Sequence, residues 1–594
     1  MTHDPAAPAR RARRWWMLGA LAAVLIVIVA AAAWVGVRAL AARDALEAAT
    51  EHARALQGDA LGGDVASIDA HAEALAADAA EAARLTSDPV WRASELVPWF
   101  GRNLAAVREV TTIVDDLAQH GMAPLLDAAG TIDVETLGVQ GDSIDVAPLR
   151  EVAPALAEAD AVFARAQADA AAIDTAGILP LISDAVHEFR DTLTPAAAAV
   201  DGLARASAIL PGMLGADGPR TYLLLMQNNA EVRSSGGVPG AMALIRADQG
   251  RITLERQAST AEFRRSEEPI QPLAPEVIAL FDQLPGQYIQ NSVMIPDFPD
   301  AAALAAAHWD RNIGGTPVDG VIAVDTVTIA DILAATGTLD LGPYELTAEN
   351  APDILLSQVY RDVTSPSAQD AVFEAAASGM FAAVTDGRAS ASQLMGALGQ
   401  AAAEGRVRLW SRNPAEQEAL AETTLAGSLP ADDATTIHTG VFFNDTTGAK
   451  MNYYSDAEVT TELTRCGDAS TMSVTVTWTN GAPADAATAL PVYVTGGGHA
   501  GVDPGSTRTR IAVYGPEGWL ARASSVDGES AGAQTALDDD RPVIQHEVTL
   551  APGAQTRIVV EFIGEAGDAE SALVTTPLLR PIEVAESTEI CTRE

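Results

Sequence analysis

Residues 221–260 read TYLLLMQNNAEVRSSGGVPGAMALIRADQGRITLERQAST, and a change of character inside this stretch governs how the rest of the chain is understood. It opens on a short apolar run, Tyr222 to Met226, whose length and polar flanks suit a buried strand better than a helix. Gln227, Asn228, Asn229, Glu231 and Arg233 then put amides and a charge pair where that strand ends, and Gly236, Gly237, Pro239 and Gly240 forbid a continuing helix. Two further β-like runs follow, 241–247 and 251–257. Asp248-Gln249-Gly250 joins them and reads as a hairpin turn with glycine in a left-handed position. The expected product is a polar, glycine-rich loop presented at a strand end.

Working outward, residues 218–430 alternate helical and strand patterns. Helices are expected around 275–284 and 300–312, a strand at 318–324, and a helix capped by Asp325 that stops at Gly337. Helices at 348–360, 368–385 and 389–403 and a strand at 407–410 complete an α/β domain with a mixed sheet. From residue 436 the composition shifts to Thr, Val and Gly. Short runs at 459–463, 473–479, 493–495, 507–514, 544–550 and 556–562 predict a β-sandwich over 436–594. Upstream, residues 44–210 are helical: Leu46, Ala49, Ala53 and Leu56 keep three-four spacing, and the pattern resumes after a glycine break at 58–63. A coiled-coil-like α-helical stalk or bundle is expected, ending at Pro211-Gly212.

Residues 15–37 are uncharged and long enough to cross a bilayer, with Trp15, Trp16 and Trp34 near the two ends as interfacial anchors. Arg10, Arg11, Arg13 and Arg14 lie in a basic tail, residues 1–14, before this transmembrane helix, and acids soon follow it. The tail is therefore expected in the cytoplasm and the bulk of the chain outside the cell membrane. A cleaved signal peptide is the competing reading, but the apolar run exceeds the usual length of one. The net charge of −43 repels nucleic acid and anionic polymers at long range, so no nucleic-acid partner is expected. Cys466 and Cys591 fit no zinc spacing and are expected to form one disulfide in an oxidising compartment.

The central segment resembles the domain-of-unknown-function 4012 family of bacterial envelope proteins. The resemblance rests on the apolar strand followed by Gln227-Asn228-Asn229-Ala230-Glu231-Val232-Arg233 and Gly236-Gly237. It also rests on Ile295-Pro296-Asp297-Phe298-Pro299, on 317–325 (PVDGVIAVD), and upstream on Trp91 and Pro98-Trp99-Phe100-Gly101-Arg102-Asn103-Leu104. More remotely, the order of strand, Arg loop, hairpin and later VDGVIAVD is similar to the LytR-CpsA-Psr family. That resemblance implies a single N-terminal span and transfer of lipid-pyrophosphate-linked glycopolymer to the cell wall. The chain departs from that pattern at Asn228 and Asn229, where the family has an acidic residue, and at 257–260 (QAST), where it has Ile-Pro-Arg-Asp.

No zinc-protease, nucleophile-elbow, Walker, dinucleotide or calcium-loop motif is present, so no cofactor and no metal are expected. The remaining candidate for chemistry is an anion or phosphate site built from Asn228, Asn229, Glu231, Arg233, Gly236 and Gly237, with Arg264, Arg265 and Asp297 contributed from elsewhere. The competing reading is that Glu231 and Arg233 pair with each other, or with Arg265 and Asp297, to lock the loop. Two functions follow: a non-enzymatic scaffold or binding protein of the cell wall, or a protein that binds or transfers a polyprenyl-phosphate-linked glycan. An open apolar groove beside Arg233 would favour the second, and a loop packed shut the first.

Overall fold

The computed structural model describes residues 8–62, 65–131, 143–315, 317–385, 389–466 and 469–591; the first seven residues of the basic tail and the side chains of the next seven lie outside the described set. The chain forms two compact units, one of residues 1–133 and 147–210, the other of residues 134–146 and 211–594.

The first unit is helical. It contains α1 (Pro8–Gly62), α2 (Val65–Thr86), α3 (Pro89–Ser94), α4 (Gly101–Asp116), α5 (Met122–Thr131), α6 (Ala147–Ala172) and most of α7 (Pro180–Met213). α1 does not break at Gly58 but continues to Gly62. Along it, Trp15–Ala30 is exposed throughout, and periodic burial begins at Val35 and recurs at Ala42, Ala45, Ala49 and Leu56. It is long and apolar enough to cross a membrane. One continuous helix thus changes character along its length, because spacing in the second half gives it a packing stripe that the first half lacks. Val35, Trp91 and Leu104 form one cluster of the bundle, and Ala49, Leu56, Leu75, Ala79 and Ala118 another further along.

The second unit begins with a five-stranded mixed sheet. β1 (Arg220–Asn228), β2 (Val238–Asp248) and β3 (Arg251–Ser259) form an antiparallel meander, and β4 (Gly320–Asp325) lies parallel to β1 on its other side. A small pair, β5 (Leu339–Asp340) and β6 (Glu345–Leu346), precedes β7 (Val407–Ser411), which closes the first sheet antiparallel to β4. The β2–β3 turn places Gln249 at φ 52° and Gly250 at φ 79°, the pair of left-handed residues that a type I′ turn requires. Asp325 caps the helix Thr326–Thr336 by accepting the Thr328 N–H at 2.9 Å.

Two more sheets follow. β8 (Thr436–Asp445), β9 (Ser455–Cys466), β10 (Ala469–Asn480), β11 (Thr507–Tyr514), β12 (Leu520–Val526), β13 (Glu529–Ser530), β14 (Gln534–Asp538), β15 (Arg541–Leu550), β16 (Gln555–Gly564), β17 (Glu570–Thr575) and β18 (Glu583–Ile590) divide between a six-stranded sheet, 13-12-16-10-9-18, and a five-stranded one, 14-15-11-8-17. Val441, Phe443, Ile511 and Val513 of the second share one core with Val474, Val476, Trp478 and Val560 of the first. The opposite face of the five-stranded sheet supplies Phe442, Ala512, Tyr514 and Val543 to the core beneath β1 and β4, so the α/β layer and the later strands are continuous. The run at 493–495, expected as a strand, is a helical turn, Val492–Thr495. Pro491 starts it and three glycines end it, which leaves too few residues to join a ladder. Cys466 and Cys591, at the ends of the parallel neighbours β9 and β18, are joined in a disulfide with Cα atoms 5.0 Å apart.

Candidate functional site

β1 delivers Gln227 and Asn228 at its carboxyl end, and the chain then runs inward. Asn229, Glu231, Arg233, Ser234 and Ser235 are all buried. Gly237 is required here because a Cβ at that position would lie 2.3 Å from the Asn228 carbonyl oxygen. Gly236 adopts φ 130° and its N–H donates to the Arg233 carbonyl at 2.8 Å, which folds the loop back toward β2.

The loop's backbone groups are satisfied by residues distant in sequence. Asn444 Oδ1 accepts the Ser234 N–H at 3.1 Å, Asn452 Oδ1 accepts the Val232 N–H at 3.3 Å, and Thr576 donates its hydroxyl to the Ser234 carbonyl at 3.2 Å. Asn229 Nδ2 donates to Asp325 at 2.9 Å and to the Pro577 carbonyl at 3.4 Å, while its Oδ1 accepts the Thr326 N–H at 3.3 Å. Asp325 is also bound by Arg406 at 2.7 Å, and Arg406 reaches the Leu578 carbonyl at 3.0 Å. Every polar atom so placed would otherwise be stranded without water.

Charge is balanced in the same way. Arg233, 5% exposed, donates from Nη2 to Glu231 Oε1 at 2.9 Å and to Asn291 Oδ1 at 3.3 Å, and from Nη1 to the Val232 carbonyl at 2.9 Å; its Nε is buried without a partner. The other Glu231 oxygen accepts from Lys450, the single lysine of the chain. Burial works against charge on Glu231, but Lys450 and Arg233 overcome it and hold the carboxyl below the usual range. Lys450 is itself held above the ordinary lysine value: burial opposes its charge, and Glu231, Tyr360 and Tyr493 more than compensate. Its ammonium lies 5.9 Å and 5.6 Å from the Tyr360 and Tyr493 ring centroids. Asp445, at the end of β8, is pushed up to about 6 by burial and by Glu231 beside it.

The residues expected to assemble an anion site divide into separate groups. Glu231 and Arg233 pair with each other. Arg264 is exposed, and Arg265 turns to Gln287 at 3.2 Å and to the Tyr288 ring. Asp297 caps the helix Phe298–Asn312 by accepting the Asp300 N–H at 3.2 Å. What the structure brings to the loop instead is Lys450, Asn444, Asn452, Tyr360 and Asp325. Of these, Asp325 was legible only as a helix cap and Lys450 only as the single lysine of the chain; nothing in the sequence tied either to the loop. Asn228 Nδ2 donates to the Tyr360 hydroxyl at 2.5 Å, and the two line a cavity of about 300 Å³ at the carboxyl ends of β1 and β4. Glu231, Lys450, Phe373 and Tyr493 complete much of its wall, whereas Arg233 does not reach it. Among the described residues no cluster of His, Cys, Asp or Glu has the arrangement of a metal site.

No curated protein and no solved structure matches the chain. The match to a known family covers the strand-loop-hairpin and the β4 region, and stops short of the upstream tryptophan motifs and of the later sheets. Over residues 217–360, about a quarter of its length, the chain matches the family described as "Protein of unknown function (DUF4012)".

Proposed function

We propose that this is a single-pass, membrane-anchored protein of the cell envelope whose extracytoplasmic part is a non-enzymatic scaffold or binding protein of the cell wall. Residues 44–210 serve as a coiled-coil-like stalk, the α/β layer as body, and the paired later sheets as a β-sandwich presenting surface to partners. The observation that carries this reading is the burial of Arg233, whose guanidinium is engaged by Glu231, Asn291 and the Val232 carbonyl rather than offered to solvent. A closed loop of this kind stabilises a body; it does not hold a phosphate. Isothermal titration of the purified protein with a polyprenyl phosphate should give no heat of binding, and Arg233→Ala should unfold at lower denaturant. Measurable binding that the substitution abolishes without loss of stability refutes the scaffold reading. A reporter active only outside the membrane, fused after residue 218, should be active.

The second reading, binding or transfer of a lipid-phosphate-linked glycopolymer in the manner of LytR-CpsA-Psr proteins, is favoured by the cavity beside Asn228. Its position outside the carboxyl ends of parallel strands is where open α/β sheets take ligands. Tyr360, Tyr493 and Phe373 offer ring faces there, and Asn228 and Lys450 offer polar groups. Soluble cell-wall glycan fragments should then bind with Tyr493→Ala weakening them. Equal titrations for wild type and variant refute it.

A further inference from the structure

The tryptophan-containing turn upstream of the family match plays no part in the site above. Residues 95–101 (ELVPWFG) leave α3 and enter α4 with their apolar side chains turned outward: Leu96 is 84% exposed and Trp99 70%, and Val97 and Phe100 are exposed with them. Trp99 sits at φ 68°, an unusual conformation for a bulky residue. It persists because the surroundings fix it. The buried Asn103 side chain donates to the Trp99 and Phe100 carbonyls, both at 3.3 Å, and Gly101 packs so closely that a Cβ would meet the Glu95 carbonyl oxygen at 1.9 Å. The same Asn103 accepts the Leu179 N–H through Oδ1 at 2.7 Å. The turn between α6 and α7, with Leu179 exposed and Leu181 81% exposed, is thereby held at the same end of the bundle.

That end is the one at which α1 emerges from its apolar run. Trp91 and Leu104 pack on Val35, Trp34 Nε1 donates to Asp88 at 3.4 Å, and Arg38 pairs with Asp88 at 3.2 Å. α4 then runs outward alongside α1, since Leu104 meets Val35 whereas Val114 joins the cluster containing Ala49 and Leu56. Residues 96–100 precede α4 and so lie level with Trp34 or nearer the span. The 23 residues from Trp15 to Val37 are about 34 Å of helix against a hydrocarbon core of about 30 Å, so Trp34 stands at the bilayer surface. Asp88 is paired with Arg38 and Glu95 with Arg108 at 2.7 Å, the exposed Arg92 and Arg102 flank the first turn, and the exposed Asp174 and Asp184 flank the second. Large apolar side chains with aromatic residues and arginine at this level match the interfacial layer of a membrane.

We propose that residues 96–100 and 179–181 form a membrane-contact surface, inserting Leu96, Trp99, Phe100 and Leu181 into the outer interfacial layer of the same bilayer that α1 crosses. The bundle then stands on the membrane by three points, α1 and two apolar turns clamped by Asn103, instead of by one helix. This rests on the anchoring of α1 proposed above, and the test separates the two. Because Cys466 and Cys591 are bonded, a single introduced cysteine is the only free thiol. Leu25→Cys, Leu96→Cys, Leu181→Cys and Thr112→Cys would each be labelled with an environment-sensitive fluorophore in the full chain and reconstituted into phosphatidylglycerol–phosphatidylethanolamine vesicles. Thr112 is exposed and about 16 Å along α4 from Gly101, and serves as the aqueous control. The expected result is blue-shifted emission at positions 96 and 181, quenched several-fold more by lipid spin-labelled near the headgroup than at 112, and little reached by iodide. Quenching by iodide at 96 and 181 equal to that at 112, with the label at 25 still in lipid, overturns the contact surface alone. A label at 25 that iodide reaches freely overturns the anchor and the surface with it.

Discussion

Replacing Glu231 by Gln tests whether the loop is held by charge. The carboxylate is buried between two cations, Lys450 on one oxygen and Arg233 on the other at 2.9 Å, with side-chain exposures of 10% for Glu231, 8% for Lys450 and 6% for Arg233. An amide presents one oxygen for two donors and turns its own N–H₂ toward the other, so one buried cation loses its partner, and Asp445, in electrostatic reach of Arg233, is the carboxylate left beside them. Removing one partner of a buried pair costs roughly 3–5 kcal/mol, and the loss belongs in that range. Lys450→Met is the comparison. It leaves Glu231 paired with Arg233, so the cost falls to that of one lost charged hydrogen bond, about 1.5–3 kcal/mol. Urea unfolding of the wild type and both variants, followed by circular dichroism, measures the order. A Glu231→Gln protein within about 1 kcal/mol of wild type, or a Lys450→Met protein less stable than Glu231→Gln, refutes the account of the triad.

Three other outcomes are expected. Asp538 is pushed up to about 6 by burial, with Asp539, Glu276 and Asp297 adding to the shift. Its folded pKa is above the unfolded one, so its contribution to stability is fully present below the unfolded value and lost as pH rises through about 6. Asp538→Asn should therefore flatten the pH dependence of unfolding between about 4 and 6, and an unchanged profile counts against the burial argument. Cys591→Ser opens a link across a sequence separation of 125 residues, for which chain entropy alone gives roughly 5 kcal/mol. Because β18 is exposed along its length, much of that should appear as local release, seen as faster amide exchange at 583–590. Gly237→Ala should cost several kcal/mol or prevent folding, because the neighbour it meets at 2.3 Å is backbone; a stable variant with unshifted melting excludes the close approach.

The strands and turns of the α/β layer were legible because each is written locally. The β-like runs and the DQG turn located β2 and β3, and Asp325 announced the helix it caps, whereas Asp297 was read as a site residue and instead caps a helix that begins at Phe298, two residues earlier than expected. The helical unit was legible for the same reason, except that α1 runs on through Gly58, its good helix formers outweighing the glycine. The environment of the loop was not legible. Whether Arg233 faces solvent or Glu231 depends on Asn444, Lys450 and Asn452, more than two hundred residues away, and no local pattern records that meeting. Glycine, amide and arginine in one loop are compatible with a ligand cradle and with an internal lock. Burial alone separates them.

The bonds from Asn229 to the Pro577 carbonyl and from Thr576 to the Ser234 carbonyl close over sequence separations of 348 and 342 residues. In a chain made from its N-terminus, the loop at 229–237 and Arg406 are complete long before 576–578 exist. Until those residues arrive, polar groups built for a dry interior have only water or the wrong neighbours. Such late, distant contacts slow folding and lengthen the time in which a half-made layer can associate with another chain. Truncation shortly before residue 570 would remove β17 and the segment after it, exposing a central sheet whose own sequence is intact. The last few dozen residues thus act on the timing of assembly as much as on its end state, and a chain interrupted there should accumulate as aggregate rather than as a smaller folded protein.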